Sequence, residues 1–561
     1  MVYLIKKYLI TSVFLAAFLL ILFPIFAQEE KTKESKLPVW LEGFKMGGLI
    51  RFRPEFRSNY DFDKTKDDVR EFVGQKIQLN IEKKFSKDIN AKITFQDARV
   101  WGGQPGSDDG TANSNDLTKE SVDVREAWFQ VNNLFGPVSV KIGRQLFNYG
   151  SQRMVASLEW ATVGRSFDAI TFMYDSKWLS SHLWGSIIAE QDSDIAGNNT
   201  AVGRKNVSGL SYNCSTTTGI CTVKASTTRE LDDGYFAGFF NTIKLSKHLH
   251  TDLFYLGKYL KWKPLEVTGT LLTGAEITTQ DREQQRDNLH NFGIRLTNRT
   301  QKDDTAVIPF DWSLEYNYQT GTTGKYVQPS WDYINTKVQM TDRFTGATIQ
   351  QNVYREKQIY DAFAFAAEAG FTIKKRFRIG AEYNIGSGDP NRTDGSVGTF
   401  ENFYPLNHAY YGNGDLVSWR NMKGKSINFT ANLKKWGSIQ LMYWYVVKHK
   451  LQDGWYSVGG PIQADQSTES KANARFGNVT DSSGNITSRA VAYLRGRIFR
   501  EYDIIYNFLY KGIVWQAGYS FMYAGDSVKS VKNNTMIPEE PLYYKFNPRA
   551  DFAYLMMSYK F

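Results

Sequence analysis

The chain has little of what most enzymes are built from. Its 561 residues include two Cys, 14 Pro and six His, and the His residues are scattered along the chain. No GxSxG nucleophile elbow, HExxH zinc motif or P-loop occurs. The sequence therefore predicts a protein that is not an enzyme and that uses neither a metal nor a cofactor.

Long apolar runs are also missing, except at the N-terminus. There, Lys6 and Lys7 precede an apolar run over residues 9–26, and Ala27 stands before the polar Gln28. This order is typical of a secretory signal peptide, which we predict over residues 1–27; an uncleaved anchor helix is the alternative. No later stretch has the roughly 18 apolar residues that a transmembrane helix needs.

The two cysteines lie close together in the polar stretch NCSTTTGICT. An exported chain meets an oxidising compartment, where such a pair forms a disulfide. The sequence therefore predicts a local disulfide between Cys214 and Cys221. A metal pair would need His or acidic neighbours, which this stretch lacks.

Positive charge exceeds negative charge. Lys and Arg number 68 against 58 Asp and Glu, which gives a formal net charge of +10. Since an exported protein rarely meets nucleic acid, we expect no nucleic-acid partner. Anionic sugars, lipid A phosphates or small anions are the expected partners.

Aromatic residues are plentiful at 15%, and they follow a strand-like pattern. In IRFRPEFR, residues 50–57, one parity is apolar and the other is charged: Ile50, Phe52, Pro54 and Phe56 against Arg51, Arg53, Glu55 and Arg57. Alternation with period two predicts a strand with two unlike faces. Similar segments of about ten residues recur along the chain, as in DWSLEYNYQ at 311–319.

The connectors between these segments alternate between short and long. The short ones are turns at 85–89, 132–137, 175–178, 246–249, 374–376, 434–437 and 509–512. The long ones are polar loops at roughly 59–71, 102–120, 148–165, 191–231, 261–287, 322–356, 388–422, 451–496 and 526–547. A soluble sandwich has no reason to sort its loops by length, whereas a transmembrane barrel has short periplasmic turns and long extracellular loops.

The sequence therefore predicts an all-β fold, a transmembrane antiparallel β-barrel of about 18 strands in the bacterial outer membrane. We place the barrel at residues 44–561, after a periplasmic N-terminal segment at 28–43. The C-terminus, DFAYLMMSYKF, is typical of the closing strand of such a barrel. An Arg on the lipid face at mid-bilayer costs about 2–4 kcal/mol, so Phe52 and Phe56 should face lipid and Arg51, Arg53 and Arg57 the lumen.

Six blocks that span nearly the whole mature chain carry a family resemblance. They are DARVWGG (97–103), VREAWF (124–129), KIGRQLFNYGSQRM (141–154), GRSFDAI (164–170), GDPNRTDGSVGTFENFYPLNHAYYGNGDLVSWRN (388–421) and REYDIIYNFLY (500–510). Together they resemble the alginate-export family of outer-membrane porins. The resemblance implies a monomeric barrel of 18 strands, an electropositive lumen, and passage of a polyuronate or another anionic solute. The exporter in that family has a long, late periplasmic loop that helps to plug the pore, whereas this chain has brief turns such as LYKG.

A basic lumen is the first candidate site. Alternation places Arg51, Arg53, Arg57, Arg295, Arg495 and Arg497 on the polar face. The resemblance adds Arg99, Arg125, Arg144, Arg153 and Arg165. Guanidinium groups bind carboxylates in pairs of hydrogen bonds, and rings of them select anions in pores. The alternative is that these arginines only balance lumen acids such as Glu55, Glu315 and Glu501.

The loop NFYPLNHAYYGNGD, residues 402–415, is the second candidate. It is rich in Tyr, Asn and Gly, and it contains Tyr404, Asn407, His408 and Asp415. We expect either a constriction inside the pore or an ordinary packed outer loop.

Three functions remain open at this stage. The favoured one is a channel for anionic solutes, of the uronate type. The alternatives are a general uptake porin for small anions and a surface receptor or adhesin that uses the long loops. In each case the chain contacts outer-membrane lipid and lipopolysaccharide.

Overall fold

The computed structural model of the chain is one closed antiparallel β-barrel. It describes residues 43–561, except for 64–67, 102–118, 191–204, 208–210, 215–220, 225–226, 230, 247, 263–265, 271–275, 281–284, 300–308, 327–337, 342–347, 352–356, 391–394, 452, 459–477, 481–485, 490–495, 526 and 529–545. The predicted signal peptide, and all but the last residue of the predicted N-terminal segment, therefore lie outside the described residues.

Eighteen strands form the wall, which confirms the predicted fold class and strand number. They are β1 (Phe44–Ser58), β2 (Arg70–Lys84), β3 (Ile89–Val100), β4 (Lys119–Phe135), β5 (Val138–Gln145), β6 (Phe167–Asp175), β7 (Leu179–Glu190), β8 (Leu231–Ser246), β9 (Leu249–Trp262), β10 (Gln285–Thr297), β11 (Phe310–Tyr326), β12 (Lys357–Ile373), β13 (Phe377–Gly386), β14 (Met422–Asn432), β15 (Ser438–Lys448), β16 (Arg497–Tyr510), β17 (Ile513–Ala524) and β18 (Arg549–Lys560).

The wall closes because β1 pairs with strands on both of its sides. Phe52 lies opposite Gln75 of β2 and opposite Met557 of β18. Each other strand pairs with its neighbours in chain order. A closed ring leaves no unpaired strand edge, which is what a bilayer demands of a β structure.

The two faces of the wall differ as the alternation predicts. Arg51, Arg53 and Glu55 are 7%, 1% and 3% exposed, so the charged face of β1 points inward. Large apolar side chains point outward around the ring, for example Phe292 and Ile427, which are 53% and 62% exposed. A polar interior and an apolar outer belt are the opposite of a soluble sheet and are typical of a membrane barrel.

The turns at one end are short. Only Lys511 and Gly512 separate β16 from β17, and residues 374–376 separate β12 from β13. The connection from β10 to β11, residues 298–309, is longer than the other turns and was missing from the predicted set. No helix in the described part of the chain is both long and apolar enough to cross a membrane.

The connections at the other end contain short elements that are not among the 18 strands of the wall. The two-residue strand Ser396–Val397 pairs in parallel with β12, and a 3₁₀ turn lies at Asn407–Ala409. Another 3₁₀ turn, Lys434–Trp436, lies at the end of the barrel that has the short turns. Five two-stranded hairpins pair Lys205–Val207 with Thr227–Arg229, Ser211–Cys214 with Cys221–Lys224, Glu266–Thr270 with Glu276–Gln280, Val338–Thr341 with Thr348–Gln351, and Asn478–Thr480 with Ile486–Arg489.

Candidate channel lumen

Residues 146–166, between β5 and β6, fold into the lumen instead of standing outside it; we call them the crossing segment. Arg153 donates to the carboxylates of Glu368 on β12 and Glu382 on β13, at 2.6 and 2.5 Å. Ser151 donates to Glu315 on β11 at 2.5 Å. In a ring of 18 strands β12 and β13 lie opposite β3 and β4, so the segment bridges the lumen.

Arg153 is the anchor of this bridge. Its side chain is buried, it donates to the Tyr411 hydroxyl at 3.1 Å, and its guanidinium lies 3.6 Å from the centre of the Tyr410 ring. Two carboxylates and an aromatic face stabilise a cation that burial alone would penalise. Arg153 therefore links the crossing segment to β12 and β13.

The other half of the crossing segment rests on arginines of β1. Arg51 donates to the backbone carbonyls of Glu159, Trp160 and Ala161, at 2.7, 3.1 and 2.9 Å. Arg53 donates to Glu55 and to the Trp160 carbonyl, both at 2.5 Å, and lies 4.0 Å from the centre of the Trp160 ring. Arg57 donates to Glu55 at 2.9 Å. Arg51 and Arg53 therefore hold the segment as well as lining the lumen.

Glu159, in the crossing segment, meets two cations of the wall. Arg125 of β4 donates to it at 2.6 Å, and Lys76 of β2 lies 3.5 Å away. Burial would raise the pKa of Glu159, but Lys76 and Arg125 lower it to about 2. The Glu159 side chain is still about half exposed, at 52%. The close approach of Arg125 requires Gly164, which has φ +77° and where a Cβ would meet the guanidinium at 2.6 Å.

Arg165 completes this group, which we call the basic cluster: Arg51, Arg53, Lys76, Arg125 and Arg165, with the carboxylates Glu55 and Glu159. Arg165 donates to the carbonyl of Ala156 at 3.1 Å and lies 5.3 Å from the centre of the Tyr404 ring. Burial lowers the pKa of Arg165 to about 10, so it stays charged at neutral pH. Cations outnumber carboxylates in this cluster.

A second stretch, residues 399–421, also folds inside; we call it the second inner segment. Its backbone pairs with the crossing segment, because the Tyr404 N–H donates to Met154 and the Ala156 N–H donates to Tyr404, both at 2.8 Å. His408 stacks on Trp160 with ring centres 3.6 Å apart and bonds Asp415 at 2.9 Å. Asn407 is 1% exposed and donates to the Val458 carbonyl at 3.1 Å. The structure thus brings Tyr404, Asn407, His408 and Asp415 into the lumen.

Glu501 and Asp503 of β16 lie under the second inner segment. The Gly414 N–H donates to Glu501 at 2.6 Å, and both side chains are almost completely buried. Gly412 has φ +100° and passes so close to Glu501 that a Cβ would overlap its carboxylate. Glu501 and Asp503 therefore form an acidic pair on β16, whereas the basic cluster draws on β1, β2 and β4.

An aromatic cluster, which the sequence analysis did not identify, fixes the inner segments to the wall. Phe147 stacks on Phe167 at 4.7 Å between ring centres, Tyr149 stacks on Trp184 at 4.6 Å, and Phe236 packs edge-on against Tyr404 at 4.8 Å. Beside it, a small pocket is lined by Tyr149, Phe240, Phe254, Arg295 and Glu315, among others. Alternation along the strands places Trp184 and Phe236, which are buried, on inward positions, and this is the sequence signal for the cluster.

Arg299 is a second residue that sequence reasoning missed. It lies two residues after the end of β10 and donates to Asp311 at 2.7 Å and to Glu368 at 2.6 Å. Arg378 also donates to Asp311, at 2.7 Å. Through Glu368 this group reaches Arg153, so the anchor of the crossing segment belongs to a wider ion-pair network.

Three of the candidate arginines lie on the outer face of the wall, contrary to expectation. Arg99 pairs with Asp97 and Arg144 with Asp168, at 2.5 and 3.1 Å, on the parity opposite to buried Lys76 and Gln145. Arg497 is the third. A bulge at residue 498 shifts the phase of β16, so Arg497 pairs in register with Val447, whose neighbour Val446 is the buried, inward residue.

The remaining candidates are Arg295, Arg495 and the two cysteines. Arg295 is inside, 3% exposed, where it donates to Ser313 at 3.0 Å and lies 3.5 Å from Asp252. Arg495 lies outside the described residues. The backbones of Cys214 and Cys221 lie directly opposite each other in a short hairpin.

A closed barrel with an apolar outer belt and a charged interior defines an outer-membrane β-barrel channel. The model of the alginate export family matches residues 43–184 and 243–502, well over half of the chain. The chain therefore belongs to the alginate export family, and its place is the bacterial outer membrane.

Solved structures with similar architecture have little sequence in common with the chain. OpdO of Pseudomonas aeruginosa is 11% identical over 93% of this chain and 97% of its own, with a TM-score of 0.46. OccAB4 of Acinetobacter baumannii is 11% identical over 92% and 98%, with a TM-score of 0.47. OprD from Pseudomonas aeruginosa is 9% identical over 93% and 94%, with a TM-score of 0.42. No curated protein sequence matches the chain.

Proposed function

We propose that the chain is a non-enzymatic channel that passes anionic solutes across the outer membrane. The observation that carries this proposal is the excess of cations in the basic cluster around Glu159. Lys76 and Arg125 both bind that carboxylate, while Arg165 donates to backbone carbonyls, which carry no net charge. A net positive field in a narrow, poorly hydrated lumen attracts anions and repels cations.

Uronate-type saccharides are the solutes that we favour. Membership of the alginate export family supports this choice, and so does the chemistry of the lumen. A uronate presents one carboxylate per sugar, and an Arg side chain binds a carboxylate through two parallel N–H donors. Glu55 and Glu159 stand among the cations, and their repulsion would keep such a chain from binding too tightly to leave.

The two inner segments act as the constriction of this channel. They bond to each other through Tyr404, and Arg153 ties the crossing segment to the far wall. A polymer would need these segments to move, whereas a small anion would need only a gap between them. The Arg153 bridge therefore favours, as a second candidate, a channel for small anions.

Current block in a planar bilayer distinguishes these solutes. We expect oligouronates to interrupt the ionic current at concentrations at which neutral oligosaccharides of the same length leave it unchanged. Block by small organic anions, with no effect of oligouronates, would support the small-anion channel. A purified, folded chain that gives no current at all would contradict the channel and leave the receptor or adhesin function.

A further inference from the structure

A row of alternating aromatic and basic residues crosses six neighbouring strands on the outer face of the barrel. Each member lies directly opposite the next in the strand register. From β13 to β18 the row, which we call the outer row, reads Tyr383, Lys425, Tyr445, Arg500, Tyr523 and Arg549.

The outer row faces the membrane, not the lumen. Glu382, Ser426, Trp444, Glu501 and Met522, which flank its members along the strands, point inward, and most of them are almost completely buried. Lys425, Arg500 and Arg549 are exposed. Just below them on the same face lie apolar side chains such as Ile427 and Ile504, which are 62% and 40% exposed.

The outer row lies at the level of the outer lipid head groups. Lys425, Tyr445 and Arg500 are each three residues from the outer end of their strand, which is about 10 Å along a strand. Tyr523 and Arg549 are closer still to the outer end. Tyrosines at this depth form the interfacial girdle of a membrane barrel.

Two cations of this row lack the carboxylate partner that several other outward cations have. Arg99 pairs with Asp97, Arg144 with Asp168 and Lys261 with Asp233. Arg549, at the end of the row, pairs with Asp551. By contrast, within the described part of the chain no carboxylate forms an ion pair with Lys425 or Arg500. Instead, Lys425 lies 5.9 Å from the Tyr383 ring centre and Arg500 lies 5.9 Å from the Tyr445 ring centre.

We propose that the outer row is a binding site for the phosphates of lipid A, the lipid anchor of lipopolysaccharide in the outer leaflet. Charge complementarity supports this occupant, because Lys425 and Arg500 need an anion at head-group depth. The position supports it too, because the row stands beside lipid tails and outside the lumen. A soluble anionic solute that passes through the lumen would not reach this face.

The spacing of the cations fits two contacts on one lipid. Lys425 and Arg500 are two strands apart, and neighbouring strands are about 4.8 Å apart, so the two backbones are about 10 Å from each other. Tyr445 lies between them and offers a hydroxyl donor and a flat face. At this spacing, two long, flexible basic side chains can each contact one of the two phosphates of a head group, or both can contact the same phosphate.

Lipid binding by the purified full chain tests this proposal. Native mass spectrometry in detergent would follow binding of lipid A with both phosphates, and of the same lipid A with the phosphates removed. The test variant is Lys425→Gln with Arg500→Gln. The matched control is Arg144→Gln with Lys261→Gln, which removes two outward cations that have carboxylate partners. Heat-dependent mobility on gels would verify that each variant is folded.

We expect the phosphorylated lipid A to bind the wild type about 30-fold more tightly than the test variant, since each basic residue contributes about a factor of five near an anionic surface. The control should stay within about threefold of the wild type, and removing the phosphates should weaken wild-type binding as much as the test variant does. Equal binding by the test variant, or binding that ignores the phosphates, would overturn the proposal. Dimers of the wild type that the test variant does not form would also overturn it, because the row would then be an interface between copies.

Discussion

Arg153 and Arg144 are nine residues apart in the sequence, yet their surroundings differ completely. Arg153 is buried in the lumen between Glu368 and Glu382, and Arg144 is on the outer face beside the exposed Asp168. Breaking a buried ion pair leaves an uncompensated charge, whereas an exposed pair contributes little. An arginine therefore contributes very differently to the stability of the fold at the two positions.

Arg153→Ala should destabilise the folded chain by about 3–5 kcal/mol, because the buried carboxylate of Glu382 loses its cation and Glu368 keeps only Arg299. It should also raise the single-channel conductance, because the crossing segment loses its link to β12 and β13. Denaturant unfolding and bilayer recording measure the two effects. Arg144→Ala is the control and should cost no more than about 1 kcal/mol with unchanged conductance. Equal effects of the two substitutions would contradict the bridging role of Arg153.

The pH dependence of the crossing segment should follow Glu159. Lys76 and Arg125 overcome the effect of burial and lower its pKa to about 2, from an ordinary value of 4.5. Because the folded pKa is depressed, the stabilisation is complete above about pH 4.5 and is lost as the pH falls towards 2. The melting temperature of the wild type should therefore fall more steeply over this range than that of Glu159→Gln. Parallel curves for the two proteins would exclude Glu159 as the source.

Alternation alone assigns side chains well only in the middle of strands. It puts Arg51, Arg53 and Arg295 on the polar face, and all three are buried inside the barrel. It fails at Arg497, because a bulge inserts one residue and reverses the phase, and a bulge has no reliable sequence signal. Family resemblance fails at Arg99 and Arg144, which lie near strand ends where facing is set by the local register.

At the scale of elements, the strands could be predicted and the crossing segment could not. A strand such as β11 shows its period of two directly in the sequence, because each of its faces meets one environment. The crossing segment has no period, and its path depends on contacts with residues far away in the chain, such as Tyr404 and Glu382. Sequence reasoning therefore placed residues 148–165 among the outer loops, whereas the segment lies inside.

The disulfide between Cys214 and Cys221, in a short hairpin, stays a prediction. Ser211–Cys214 and Cys221–Lys224 pair so that Cys214 and Cys221 are register partners. Mass mapping without reductant should find one linked peptide pair, and Cys214→Ser should leave the melting temperature of the barrel unchanged, since the hairpin is not part of the wall. Two free thiols in the exported protein would contradict the prediction.

At the scale of the whole molecule, charge is distributed unevenly around the lumen. The basic cluster lies against β1, β2 and β4, and Glu501 and Asp503 lie on β16. The field across the constriction is therefore set by the position of the inner segments as well as by the wall. Because the Debye length is near 10 Å at about 0.1 M salt and 3 Å at about 1 M, the effect of this field on ions must fade with salt.

The reversal potential in a salt gradient across a planar bilayer tests the central claim most directly. The lumen variant is Arg51→Gln with Arg165→Gln, in which the amides can still donate to the carbonyls that hold the crossing segment. The matched control is Arg99→Gln with Arg144→Gln, which removes the same charge from the outer face. We predict anion preference at about 0.1 M salt that fades at about 1 M, that falls clearly in the lumen variant and that persists in the control. A wild-type channel that prefers cations at low salt, or a lumen variant with the wild-type reversal potential, would contradict the account.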